Sequence, residues 1–546
     1  MSKTNVATKR SKTQSNILKS PLRTQTDAPN RAAITTATDA SASTSRWRRA
    51  LDTMLTPAVI VGCMAGIAAI AYYFFMHLSL RLDESQSLWQ SSHSLGGVLN
   101  VVARDVHVPL YHLILHFVIT IFGGDVTTAR LLSLGFFMAT VPVIYLLSRH
   151  VLSRNWSLIV VLLFSFSPFL SWYGSEARMY TLLLFVTALN QLFYLRILKT
   201  GKGWFWYGLT AIIGAYSHYF FMFNLAAEAL YYLYNRKQFK PGSFKKFIAV
   251  AVAVVLSLLP WLMYVYSLGS ASGTRPQLPR PSTVDFFNVF SQIIFGFQSN
   301  TVNTLILSAW PVVMLIALVA VRRSRGLSSE LKFIATVSIL PVLLAYTISL
   351  VITPLFLSRY MATIVPPVLI MIVYLFSRYR QKYAAFVVAL LFVTTIAGSA
   401  VQATSSGTPV KEDYRQAAMD INSSIQPQDV VVLSAPFTIY PFEYYYRGDA
   451  QIATLPNWNR SQAGSIPAFD RAKLPGQVAE LNKNHRYIYL LLSQDQGYED
   501  TIYQYYLTNF KQISRKTYSP GLTLYVYQVG YYTVPAVGSL ESQEAL

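Results

Sequence analysis

Two adjacent carboxylates, Asp83 and Glu84, are the first residues whose types suit chemistry. One could take a proton while like-charge repulsion from the other raises its pKa. Asp105 with His107, and Glu176 with Arg178, form two further polar pairs, and His218 and Arg359 stand alone among apolar neighbours. Arginine holds a phosphate bidentately, and histidine also suits an anion. A carboxylate base beside such cations fits displacement of a phosphate leaving group by an acceptor hydroxyl. That hydroxyl has a pKa far above 7, so a carboxylate takes its proton only as the new bond forms.

Each residue also has a plainer reading. Asp83–Glu84 suits a solvated pair capping a helix, and Asp105 an N-cap. His107 fits an interfacial position, and Arg178 can snorkel to headgroups. Arg359, beside Tyr360, fits an interface anchor. His112 and His116 read as packing residues. Cys63, the only cysteine, reads as a small apolar residue and excludes an intrachain disulfide or a paired-cysteine metal site.

The elements that must position these residues are membrane spans. The chain has 546 residues, of which 53% are hydrophobic and 13% charged, about half the charge of a soluble protein. Apolar segments fall at 55–78, 129–148, 156–172, 179–196, 204–217, 219–234, 247–267, 301–321, 331–352, 358–376 and 383–402. The segment 108–122 is short for a span and carries two histidines. Basic clusters follow many of these segments: Arg149 with Arg154, Arg196 to Lys202, Arg236 to Lys246, Arg322 to Lys332, and Arg378 to Lys382. If 108–122 does not cross, all five clusters share the cytoplasmic side with the basic N-terminal tail, as the positive-inside rule asks. The expectation is therefore an α-helical polytopic membrane protein with about eleven spans, N-terminus in and C-terminus out. Much of the net charge of +21 is then topological, which disfavours nucleic-acid binding. Residues 1–50 carry ten basic residues, from Lys3 to Arg49, against Asp27 and Asp39; they read as a disordered basic cytoplasmic tail. Residues 51–403 form the membrane domain, with a first outer loop at 79–107.

Beyond residue 403 the composition becomes mixed in charge. Short β-rich runs at Val430–Leu433, Tyr487–Leu492 and Leu522–Tyr527, with a helical stretch at Gln416–Ile425, predict a small extracytoplasmic α/β domain over 404–546. Its tyrosine-rich patch, Tyr440 to Tyr446, suits packing, sugar stacking or the membrane interface. With this topology the polar residues singled out above reach one outer face. Ionisable groups at membrane depth are costly and mark functional cavities. In such a cavity the natural phosphate donor is a lipid phosphate whose tail stays in the bilayer, which composes a glycosyl transfer from a lipid-phosphate sugar.

The order of motifs carries a resemblance. Leu82-Asp83-Glu84 is followed by Asp105-Val106-His107-Val108-Pro109, then Ser167-Pro168, Ser175-Glu176-Ala177-Arg178-Met179-Tyr180, Ser217-His218-Tyr219, Arg359-Tyr360 before Pro366-Pro367, and Lys411-Glu412-Asp413-Tyr414-Arg415. Over roughly residues 55–450 this resembles the bacterial glycosyltransferase family 39 group, relatives of the protein O-mannosyltransferases and the lipid A aminoarabinose transferase, which share the GT-C fold. The resemblance implies inverting transfer of a sugar, a hexose such as mannose or a pentose, from a polyprenyl-phosphate donor. The acceptor is a hydroxyl on protein, lipid or polysaccharide, at the outer face of the plasma membrane. It implies Asp83 as the general base with Glu84 as its companion, and Asp105 and His107 near the reaction centre. The family's His-Pro-Pro reads His107-Val108-Pro109 in this chain. Arg178 and Arg359, and less directly His218, are expected to bind the donor phosphate, with Glu176 beside Arg178. Some enzymes of this fold use a divalent cation, so Asp105 and His107 as metal ligands stay open. A competing reading is a polyprenyl-lipid or sugar transporter or flippase, which predicts charges near span centres. A non-catalytic scaffold would need no such outer cluster.

Overall fold

The computed structural model describes residues 54–105, 107–268, 278–323, 326–405, 409–460, 466–483 and 485–529; the tail expected over 1–50 lies outside the described residues. The first long helix, α1 (Met54–Phe75), is followed by the short helices α2 (Leu82–Ser91), α3 (Leu95–Ala103) and α4 (Leu110–Phe122). Then come α5 (Val126–Ser148), α6 (Arg154–Ser165), α7 (Pro168–Gly174), α8 (Tyr180–Thr200), α9 (Trp204–Ser217) and α10 (Phe221–Tyr234). The helical part closes with α11 (Ser243–Ser267), α12 (Thr283–Phe295), α13 (Asn300–Ser308), α14 (Trp310–Arg323), α15 (Ser329–Val351), α16 (Val365–Ser377) and α17 (Gln381–Thr404).

Among the described residues, seven helical stretches are long and apolar enough to cross a membrane: α1, α5, α8, α11, α15, Ser358–Ser377 (which contains α16) and α17; the bent pair α6–α7 makes eight. The protein is a multi-pass membrane protein. Of the eleven spans expected, seven or eight meet this length, and the other apolar runs are shorter or interrupted helices. The segments expected at 204–217 and 219–234 are α9 and α10, of 14 residues each. At a rise of about 1.5 Å per residue each reaches about 21 Å, against an apolar thickness of about 30 Å. The segment at 301–321 is interrupted at Ala309 between α13 and α14. Helix α4, only 13 residues long, is too short by the same arithmetic, as expected for 108–122.

Burial separates inner from outer helices. In α8, 72% of the apolar window is buried, whereas α1, α11 and α17 bury only 17%, so these three present their apolar surface to lipid. The bend of 56° between α6 and α7 has a local cause. Pro168 disfavours a helical Ser167 and starts a new helix, and the Ser167 hydroxyl donates to the Ile293 carbonyl at 2.6 Å. The turn carries Trp172 and Glu176 inward. Gly174 permits it, because a Cβ there would lie 2.4 Å from the Phe137 ring.

Past α17, helix α18 (Tyr414–Ser424) starts at Asp413, whose carboxylate accepts from the Gln416 amide at 3.1 Å. Five strands follow: β1 (Val430–Ser434), β2 (Gln451–Thr454), β3 (Tyr487–Ser493), β4 (Lys511–Ser519) and β5 (Leu522–Gln528). They form one sheet in the order β2-β1-β3-β5-β4, with β1 parallel to β2 and β3, and β5 antiparallel to β3 and β4. Between these strands lie α19 (Ile439–Tyr445), α20 (Leu474–Asn482) and α21 (Glu499–Asn509). Helices cover both faces. Val431 and Leu433 pack with Tyr414, Ala418 and Phe442, while Val430 and Val432 pack with Leu474, Val478 and Ile502. Double-sided burial explains why β1 reads as an unbroken apolar run.

This α/β part is not detached. The described residues between Ala58 and Val529 belong to one compact unit, and the α/β part is joined to the loop after α1 by specific bonds. Arg415 donates to the carbonyls of His77 and Leu78 at 3.2 Å each, and the Leu80 amide donates to the Tyr445 hydroxyl at 2.8 Å. Arg460 lies 4.9 Å from the Trp89 ring and 5.1 Å from Tyr440. The tyrosine-rich patch thus packs on the loop after α1 and on α2.

Candidate active site

The stretch between α1 and α2 is held from behind by a residue that the sequence reading passed over. Arg130, on α5, has no exposed surface. It donates to the carbonyls of Phe75, Met76, Leu78 and Ser79 at 3.0 to 3.1 Å, where the chain leaves α1 and its carbonyls need partners. The same guanidinium grips Glu84, at 2.6 Å from Nη2 and 2.8 Å from Nε. Glu84 also accepts from the Arg81 and Ala177 amides at 3.0 Å each. Burial pushes the Glu84 carboxyl up, but Arg130 outweighs it and holds the group at about 2. Its signal in the sequence was an arginine inside an apolar run, which is costly unless paired.

Asp83, one residue earlier, faces elsewhere. Its carboxylate meets Arg359 Nη1 at 2.9 Å, with the two side chains 22% and 34% exposed. Burial raises the Asp83 pKa, but Arg359 and then Arg178 outweigh it and hold the group down at about 2. The expected tuning of Asp83 by its neighbouring carboxylate is therefore corrected: cations, not like-charge repulsion, dominate. Glu84 is likewise no second base facing the same space, since its oxygens are occupied and shielded.

Arg178 ties the other elements to α2. Its Nη1 donates to the Asp83 carbonyl at 3.2 Å and to the Ser87 hydroxyl at 3.0 Å, and its Nη2 lies 2.9 Å from His107 Nε2. Burial and the Arg178 charge keep His107 well below its ordinary pKa, so the ring is neutral and Nε2 accepts. Asp105 accepts from Gln86 and Gln90, at 2.8 and 2.7 Å, and stands 3.8 Å from His107 Nε2. Gln86 and Gln90 share a face of α2 at a spacing of four.

Glu176 is buried 3.6 Å from Arg81 Nη1. Burial pushes its carboxyl up to about 7, with Arg81 opposing and Asp83 and Glu84 adding to the rise. Glu412, in the approach to α18, is raised to about 7 by burial and then by Asp83, so it too belongs to this neighbourhood. His218 stands at the break between α9 and α10, its ring 5.2 Å from Tyr360 and 6.3 Å from Tyr180; it adjoins the cluster through these rings. The structure thus brings together Asp83, His107, Glu176, Arg178 and Arg359, with Asp105 one hydrogen-bonded layer back and Glu84 behind. The sequence reading missed Arg81, Arg130 and Glu412 as members.

The donor set does not fit a divalent cation at Asp105 and His107. Asp105 is engaged by two amides, and His107 Nε2 points at a guanidinium whose charge would repel the ion. No group of three His, Cys, Asp or Glu side chains suited to a metal occurs among the described residues.

Residues 106–264 match the family model described as dolichyl-phosphate-mannose-protein mannosyltransferase. That segment contains His107, Arg130, Glu176, Arg178 and His218. No curated protein matches the chain by sequence. In three dimensions the chain is similar to ArnT from Cupriavidus metallidurans in the apo state, with a TM-score of 0.58 at 12% identity over 85% of this chain and 97% of that one. It is similar also to ArnT from Cupriavidus metallidurans bound to undecaprenyl phosphate, with a TM-score of 0.57 at 12% identity over 86% and 97% of the two chains. Fold and family segment agree: the chain has the fold of the ArnT structures, and its residues 106–264 carry the mannosyltransferase-family segment within that fold.

Proposed function

We propose that the protein transfers a sugar, a hexose such as mannose, from a polyprenyl-phosphate donor to an acceptor hydroxyl at the outer face of the membrane, with inversion. The observation that carries this reading is an ionised, partly accessible Asp83 beside Arg359 and Arg178. The acceptor oxygen bonds to the anomeric carbon as the bond from that carbon to the phosphate oxygen breaks. The electron pair leaves with the phosphate, and the acceptor proton passes to Asp83. A carboxylate held near 2 is a weak base, so it takes the proton only when the forming bond has acidified the hydroxyl. Arg359 and Arg178 meet the charge growing on the departing lipid phosphate. The lipid in the ArnT complex, undecaprenyl phosphate, supports this donor class, and no step needs a metal.

The proposed orientation puts the N-terminus in the cytoplasm and the α/β part outside, as supported by the basic loop clusters. Reporter fusions after residues 152 and 410 should read inside and outside respectively; the reverse overturns it. The chemistry is tested by transfer of labelled sugar from a polyprenyl-phosphate sugar by the purified protein. Asp83→Asn should lower the rate by about 10²- to 10⁴-fold. Equal rates for variant and wild type would remove Asp83 as the base.

A further inference from the structure

Arg81 is the one cation of this cluster that the reading above leaves without a task. Its side chain is 10% exposed. Its guanidinium carbon lies over Trp172, 3.8 Å from the ring centroid, and Nε, Nη1 and Nη2 all lack a hydrogen-bond partner. Its nearest carboxylates stand at ion-pair range only, Glu84 at 3.8 Å and Glu176 at 3.6 Å, and Glu84 is already committed to Arg130. Glu176 Oε2 is itself buried without a hydrogen bond. A buried guanidinium with three unused nitrogens is costly unless a ligand completes it. The aromatic face below leaves its N–H edge free for a planar or tetrahedral anion.

Charge balance points to the kind of anion. Arg81, Arg130, Arg178 and Arg359 are four cations, set against the carboxylates of Asp83 and Glu84 beside them and Asp105 one layer back, so the cluster keeps a positive balance while Glu176 and Glu412 are protonated. A lipid-phosphate sugar is a phosphodiester with one negative charge. Its leaving group, a lipid phosphomonoester, carries two.

We propose that Arg81 is a further phosphate-binding residue, engaged by the second charge that appears on the lipid phosphate as the sugar leaves, and that Glu176 competes for it. This inference rests on the donor class proposed above. Interactions stronger with the product-like phosphate than with the donor favour the transition state. Facing Glu176 are Arg81, Asp83 and Glu84 from the start of α2, Arg130 from α5, Arg178 on its own turn, Arg359 before α16 and Glu412 before α18. Glu176, raised to about 7, leaves Arg81 free below that pH and occupies it above.

The test is binding of labelled polyprenyl phosphate to the full-length protein in lipid nanodiscs at pH 6 and pH 8.5. Comparing Glu176→Gln with wild type at each pH cancels the ligand's own second ionisation. The two should bind alike at pH 6, and the variant about tenfold more tightly at pH 8.5. Arg81→Gln should bind about tenfold more weakly at pH 6, and adding Glu176→Gln to it should change nothing. Undiminished binding by Arg81→Gln, or a Glu176→Gln curve that tracks wild type at both pH values, overturns the inference alone. Wild-type protein that binds no polyprenyl phosphate overturns the donor reading and the inference together. Should Arg81→Gln fail to fold, the Glu176→Gln comparison still decides.

Discussion

Replacing Glu84 by Gln should loosen the loop between α1 and α2, whereas replacing Asp83 by Asn should not. Glu84 receives four hydrogen bonds, two from Arg130 and one each from the amides of Arg81 and Ala177, and neither it nor Arg130 is exposed. A glutamine amide would turn N–H donors toward guanidinium donors and leave the arginine charge unbalanced. Removing one partner of a buried pair costs about 3–5 kcal/mol. Four backbone carbonyls still solvate Arg130, so the lower end, about 3 kcal/mol, applies. That corresponds to roughly 10²-fold easier opening of the loop. Asp83 and Arg359, both partly exposed, should together contribute no more than about 1 kcal/mol. Hydrogen exchange resolved to peptides covering 76–91 reads the difference directly. Exchange in Glu84→Gln should rise by about two orders of magnitude at these amides, while Asp83→Asn stays near wild type and loses sugar transfer. The reasoning is refuted if Glu84→Gln leaves exchange unchanged, or if both variants loosen the loop equally.

Glu176 and Glu412 are carboxyls whose folded-state pKa is raised from 4.5 to about 7. Their stabilising contribution is fully present below pH 4.5 and is lost as pH rises through 7. The melting temperature should therefore fall between pH 5 and pH 8, and Glu176→Gln or Glu412→Gln should flatten that slope; an unchanged slope in both variants counts against their burial. Asp83, by contrast, is depressed from 3.8 to about 2, so initial transfer rates should show no acid limb attributable to it above about pH 4. An acid limb near pH 6 that vanished in Asp83→Glu would contradict that placement. Chelating divalent ions with EDTA should leave the transfer rate unchanged, because Asp105 and His107 already have amide and guanidinium partners; a rate restored specifically by one added metal would overturn this.

Much of the site was legible because charge is rare in this chain. Asp83, His107, Arg178 and Arg359 stood out against apolar surroundings, and their gathering follows from the cost of burying charge unpaired. Arg130 was hidden by the same contrast: a run apolar enough to read as a span conceals one arginine at its end. Edge strands β2 and β4 were missed because β4 is largely exposed and carries Lys511, Arg515 and Lys516, with no apolar alternation to betray it. The error about Glu84 is the more instructive one. Neighbours in sequence on a helix point about 100° apart, so two adjacent acids in the first turn of α2 meet different surroundings. Asp83 turns toward Arg359 and the partly open side, and Glu84 turns back toward α5. Adjacent carboxylates at a helix start therefore argue for divided labour before they argue for a coupled pair. In this protein the buried partner holds the loop that presents the other.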